Sequence, residues 1–142
     1  MAMRVGSRAI LLFSLVYSGC SSGRVVQPHV RTTPLIGTVH VDGKPADGLT
    51  VECYRDSAKH PSNSTPTKAD GEFSFGTYKL GDGLPEGTYR LTFKWKSLAP
   101  GEVDKLHGAY ADPTKSKYTV TIEIGEPIDL GVIELSTKGP IN

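Results

Sequence analysis

The stretch 70-DGEFSFGTYKLGDGLPEGTYRLTFKW-95 decides the fold of this chain. Its second half alternates Tyr89, Leu91, Phe93 and Trp95 with Arg90, Thr92, Lys94 and Lys96. A period of two predicts a half-buried strand, with the large apolar rings on a core face and the cations in water. The first half predicts a shorter strand that carries Phe73 and Phe75 inward, opened by a turn at Asp70-Gly71. A Gly/Pro-rich crossing over 81–87 joins the two.

Further strands are expected on either side to cover that aromatic face. Residues 35–42 (LIGTVHVD) put Leu35, Val39 and Val41 on one side and His40 on the other. A turn follows through Gly43, Pro45 and Gly48, and then Leu49, Val51 and Cys53 alternate with Thr50, Glu52 and Tyr54. Residues 56–66 read as a polar surface loop. Near the C-terminus, Tyr118, Val120, Ile122 and Ile124 alternate with Thr119, Thr121 and Glu123. A last strand spans 128–135, where the adjacent pair Val132-Ile133 after Gly131 predicts a bulge. Sixteen glycines and ten prolines suit many turns between short strands, and no long helical period occurs.

The longest insertion is 97-SLAPGEVDKLHGAYADPTKS-116. Pro100, followed by Glu102 and Asp104, predicts one helical turn. Tyr110 and Asp112, with Pro113 and Ser116, are expected to fold back over one end of the domain. Long ordered loops are where ligand contacts concentrate, so Tyr110 and Asp112 are the candidate ligand residues. The plainer alternative is a connection between sheets. Residues 136–142 are expected to be a disordered tail.

Before the domain, residues 1–19 have the grammar of an export signal. Arg4 and Arg8 precede the apolar run AILLFSLVY, and Ser18 and Gly19 supply small side chains before Cys20. The run falls short of the roughly 20 residues that span a bilayer. The string YSGC resembles a bacterial lipobox, with Tyr17 standing where an aliphatic residue is usual. That resemblance implies cleavage before Cys20, lipidation of its thiol, and a membrane as partner through the acyl chains. Ser21 directly after the cysteine, in place of Asp, implies outer-membrane retention in a Gram-negative envelope. The alternative is a plain secretory signal, which would leave Cys20 free for a disulfide with Cys53. Residues 20–34 read as anchor and flexible spacer.

The chain carries 16 Lys and Arg against 15 Asp and Glu; loss of Arg4 and Arg8 with the leader leaves 14 against 15. A field so close to neutral argues against nucleic acid as partner. The histidines, His29, His40, His60 and His107, have no metal-ligand spacing, and no Cys-x-x-Cys pair occurs. No Gly-x-Ser-x-Gly elbow or phosphate loop is present. Neither cofactor nor metal is expected. Cys53 reads as a buried thiol, and the register of Trp95 places it with the core and not on a sugar-stacking platform.

The ordered set GTVHVDGKPADGLTVECY, TKADGEFSFGTY and LPEGTYRLTF resembles the carboxypeptidase-regulatory-like family of transthyretin-like β-sandwiches. Gly37, Val39, Asp42, Gly43, Pro45, Gly48, Val51, Asp70, Gly71, Phe73, Gly87 and Tyr89 occupy the family's positions, and Cys53 stands where a second Val is usual. Small anchored versions of this kind are found among planctomycete-like secreted proteins. The resemblance implies an accessory domain without catalytic zinc, and a tyrosine corner at Tyr89. Hydroxyisourate hydrolases of the same group end in a Tyr-Arg-Gly-Ser-like tail; this chain ends in KGPIN, which argues against that activity.

The combined expectation is all-β: one seven-stranded antiparallel Greek-key β-sandwich over 35–135. Its expected role is a non-catalytic adhesion, assembly or interaction module, lipid-anchored to the cell envelope, with an envelope protein or glycan as partner. The alternatives are carbohydrate or peptide binding through the 97–116 loop and, further off, a cryptic hydrolase.

Overall fold

The computed structural model describes residues 28–96, 100, 101 and 103–140, and within them every regular element is a strand. The predicted leader and the Cys20 lipidation site lie outside the described residues.

Two four-stranded sheets enclose the core. In the first, β2 (Leu35–Val41) is central. It pairs on one edge with β10 (Ile128–Leu135), and on the other with the short strands β3 (Lys44–Pro45) and β6 (Glu72–Ser74). The second sheet runs in the order β5 (Asn63–Pro66), β4 (Thr50–Arg55), β8 (Gly87–Lys94) and β9 (Thr119–Ile122), all antiparallel. A two-stranded ribbon, β1 (Thr32–Thr33) with β7 (Leu84–Pro85), closes one end.

The aromatic register holds. Tyr89, Leu91 and Phe93 are buried, facing Val51 and Cys53 of their own sheet and, across the core, Leu35, Val39, Phe73 and Phe75. Trp95 is half-buried at the margin, with its indole N–H donating to the Asp47 carbonyl at 2.9 Å and Lys105 Nζ 4.3 Å from its ring centre. The Tyr89 hydroxyl donates to the Pro85 carbonyl at 2.9 Å, the expected corner. The register of β10 against β2 shifts between Asp129 and Val132, where the bulge was predicted.

Among the described residues there are ten strands where seven were expected, and β10 pairs with β2 in parallel, not antiparallel. Strands of two to four residues carry too few side chains to show a period, so β1, β3, β5 and β7 are invisible to pattern. Thr33, in β1, is fully buried and its hydroxyl donates to the Glu123 carbonyl at 2.8 Å. Past β10, the Thr137 N–H and hydroxyl both donate to the Asp42 carboxylate, at 3.1 and 2.7 Å.

The outer face of the second sheet is not simply in water. Thr92 is fully buried there and Tyr54 nearly so. Glu52 explains this, because its carboxylate accepts from Lys94 Nζ and from the Tyr54 hydroxyl, each at 3.0 Å, and draws long side chains flat across the strands.

Candidate functional site

Among the described residues of the insertion after β8, no helical turn occurs. Asp104 organises turns instead, its carboxylate accepting the N–H groups of Trp95, Leu106 and Gly108 at 2.9 to 3.0 Å. A short polar side chain that satisfies several local N–H groups competes with a helix for the same donors.

The returning chain then lies along the part of β8 that β9 leaves uncovered. The Leu91 N–H donates to the Tyr118 carbonyl at 2.8 Å and the Phe93 N–H to the Tyr110 carbonyl at 3.0 Å. The Lys105 N–H donates to the Trp95 carbonyl at 2.8 Å. An open edge is thereby closed without a regular strand. The loop is a structural cover first.

Where the cover meets the last strand, it walls a groove of about 280 Å³ lined by Asp42, Tyr110, Lys117, Tyr118, Glu134 and Ser136, among others. An adjoining depression of about 240 Å³ shares Tyr110, Lys117 and Tyr118 and adds Asp112, Lys115 and Ser116. Both candidate ligand residues therefore reach one surface region.

Their roles differ from the expectation. Tyr110 is only 8 % exposed. Its hydroxyl accepts the Ser136 N–H at 3.0 Å, and its ring lies 6.5 Å from that of Tyr118, so it forms the floor between loop and tail. Asp112 is exposed, and its carboxylate accepts the Thr114 hydroxyl and N–H at 2.6 and 2.8 Å. Those two bonds, outweighing desolvation, hold its carboxyl below the ordinary carboxylate range. A carboxylate committed to its own turn shapes the rim.

Two more available groups, Tyr118 and Glu134, were read only as strand residues. Tyr118 is half-buried, set edge-on to Phe93 at 5.2 Å, with Lys117 Nζ 5.9 Å from its ring centre. Burial, and then the neighbouring Tyr110, push its phenol pKa up, so it is a neutral donor and acceptor at physiological pH. The Lys117-Tyr118 pair was a signal in the sequence: a cation beside an aromatic at a loop-to-strand junction. Glu134 stands on β10 with His40 Nδ1 at 3.3 Å from its Oε1.

The Asp42-Gly43 turn supplies the other wall. Both residues have positive φ, 52° and 79°, as a two-residue hairpin between Val41 and Lys44 requires. The Thr137 hydroxyl and N–H bonds lower the pKa of Asp42. Taken together, the groove offers an aromatic ring at Tyr118, the exposed Lys117 ammonium, carboxylates and backbone polar groups.

The chemistry-bearing thiol is elsewhere. Cys53 is fully buried in the core, and loss of solvation pushes its pKa up to about 12. The thiolate that would act as nucleophile is thus disfavoured. Among the described residues, no three His, Cys, Asp or Glu side chains gather as metal ligands.

No family model and no curated protein matches the chain. Among solved structures, it is similar to a 5-hydroxyisourate hydrolase of Klebsiella pneumoniae at 21% identity and a TM-score of 0.43, over 72% of this chain and 90% of that one. It is similar to a DUF3823 family protein of Parabacteroides merdae at 19% identity and a TM-score of 0.39, over 76% of this chain and 46% of that one. A 9R-lipoxygenase of Cyanothece matches at 12% identity and a TM-score of 0.41, with 78% of this chain against 17% of that one. The chain thus spans less than half the length of the latter two.

Proposed function

We propose that this chain is an exported lipoprotein whose β-sandwich, of the carboxypeptidase-regulatory-like kind, is a non-catalytic binding module held at the cell envelope. The observation that carries the reading is the order of parts. The sequence 1–19 reads as an export leader closing on Ser18-Gly19, Cys20 follows, and the folded domain opens shortly after with β1 at Thr32–Thr33. Acylation of Cys20 would hold so small a domain on a bilayer, since dual acyl chains give stable anchoring where a single one does not. The partner is an envelope protein or glycan, met at the Tyr110–Tyr118 groove. Its supports are the aromatic rim, the exposed Lys117 and the carboxylates of Asp42 and Glu134.

The test is the mass of the mature N-terminal peptide from a membrane fraction, beside a Cys20→Ala variant. A diacylated Cys20, with the variant released from the membrane, is the expected outcome. An unmodified Cys20 in a soluble product overturns the anchor.

A further inference from the structure

Away from the groove, one corner of the molecule combines full apolar exposure with a rigid backbone. Leu80 is 101% exposed, Tyr78 49% and Val30 57%. The turn that presents them is braced by Asp82, whose carboxylate accepts the N–H groups of Thr77, Tyr78 and Lys79 at 2.6, 3.1 and 3.2 Å. The Thr77 hydroxyl donates to the Gly83 carbonyl at 2.6 Å and closes the base. An isolated leucine in water is common; one held at the apex of a turn so fully tied down is a shaped projection.

The segment leading into β1 is fastened to the same corner. The His29 ring stacks on Tyr78 with centroids 4.5 Å apart and planes 10° apart, and the Val30 N–H donates to the Tyr78 hydroxyl at 2.9 Å. Cys20 lies eight residues before Pro28. At no more than about 3.5 Å per residue, that tether reaches at most roughly 28 Å. A lipid on Cys20 therefore holds this corner within that distance of the bilayer.

The groove sits at that far end. The corner adjoins the beginning of β2, through Gly83 N–H to Phe75 O and Phe75 N–H to Leu35 O, whereas Asp42 and Thr137 meet just past its end. The seven residues of β2 separate the two by roughly 20 Å.

We propose that the Tyr78-Lys79-Leu80 corner, with Val30, is the surface by which the domain rests on the lipid bilayer that holds its own anchor, so that the groove faces away from it. The proposal rests on the lipoprotein reading given above. Leu80 enters the acyl boundary, the amphipathic Tyr78 ring sits at headgroup depth, and Lys79 meets anionic headgroups. Glu123 and Glu126 occupy the same end, reached through Thr33 to Glu123 O and Ile128 N–H to Pro34 O. They confine the contact to the corner, because carboxylates are repelled by an anionic surface.

The experiment uses the full chain, purified from membranes and placed in phosphatidylethanolamine/phosphatidylglycerol vesicles. A photo-cross-linking side chain stands at position 80 in one sample and at position 137 in the other. The mass of the N-terminal peptide is read from both samples. The expected result is a phospholipid adduct at 80 and its loss at 137. Diacylated Cys20 with no adduct at 80, or with equal adducts at both positions, overturns the corner and leaves the anchor standing. Unmodified Cys20 overturns the anchor; adducts at 80 alone on added vesicles then still uphold the corner, and their absence overturns both. A Leu80→Asp variant with the cross-linker at position 30 is expected to lose its lipid adduct, and an undiminished yield counts against the proposal.

Discussion

Tyr110 and Tyr118 are two tyrosines on one groove with opposite allotments of structure and availability. Tyr110 is nearly buried and its hydroxyl accepts the Ser136 N–H, so truncation removes both packing and a backbone partner. Tyr110→Ala is expected to cost about 3 kcal/mol or more, in the range of buried aromatic truncations. Tyr110→Phe, which leaves only the Ser136 N–H without its acceptor, is expected to cost about 1 kcal/mol. Urea unfolding of the two variants checks the ranking, and equal midpoints would remove Tyr110 from the core. Lys117 is exposed and its ammonium bonds no carboxylate among the described residues. Lys117→Ala is therefore expected to leave stability within about 0.5 kcal/mol while weakening retention of envelope glycans or peptides. Titration calorimetry beside a thermal melt separates those effects. Unchanged binding by Lys117→Ala and Tyr118→Ala together would move the ligand site elsewhere.

Among the elements, the β1–β7 ribbon is the piece that could not be read ahead of the structure and is the most exposed to a single substitution. It has two residues on each side, Thr32 with Pro85 and Thr33 with Leu84. Beside it, Gly83 has a φ of 90°, and a Cβ there would fall 1.8 Å from the Thr33 carbonyl oxygen. Gly83→Ala must then expel β1 or distort the turn, since backbone oxygen cannot yield as a flexible side chain can. Loss of β1 uncovers Thr33 and Leu84 and frees the segment that leads to His29 and Tyr78. The expected readout is rapid hydrogen exchange at the Val30 and Thr33 amides and proteolysis within 28–34, with the second sheet still protected. Cleavage no faster than in the parent would show that the ribbon is not fastened as described.

For the whole molecule, three turn aspartates have lowered pKa values; Asp42 ties the tail to the β2–β3 turn, while Asp82 and Asp112 each brace their own turn. The Thr137 bonds lower that of Asp42 and the Thr114 bonds that of Asp112. At Asp82 desolvation opposes the shift, but the N–H groups of Thr77, Tyr78 and Lys79 outweigh it. A carboxyl whose folded pKa lies below its unfolded value stabilises fully above that unfolded value, near 3.8 here, and loses the contribution as pH falls through the folded one. Thermal midpoints are expected to be flat above about pH 5 and to fall below about pH 4 on this account. An Asp42→Asn, Asp82→Asn double variant should show a shallower acid fall than the parent; an identical slope would place the acid sensitivity in other groups.

At that same scale the division between sequence and structure is clear. Alternation alone read strands at 35–42, 49–54, 89–96 and 118–124, where β2, β4, β8 and β9 lie within a residue or two, together with their inward faces and the buried Cys53, because a period of two repeated over several residues has one physical solution when half the side chains are apolar. Asp42-Gly43 likewise declared a turn, since two successive positive φ values favour those residues. Tertiary structure decided the rest. The parallel pairing of β10 with β2, the β1–β7 ribbon and the tail tied to Asp42 depend on partners roughly 50 to 100 positions away, and the loop that closes the free edge of β8 depends on contacts of residues 110 and 118 with residues 93 and 91. Local pattern holds no trace of such partners. The groove and the Leu80 corner lie at opposite ends because β2 runs between them, and only the folded chain fixes where each of its ends points.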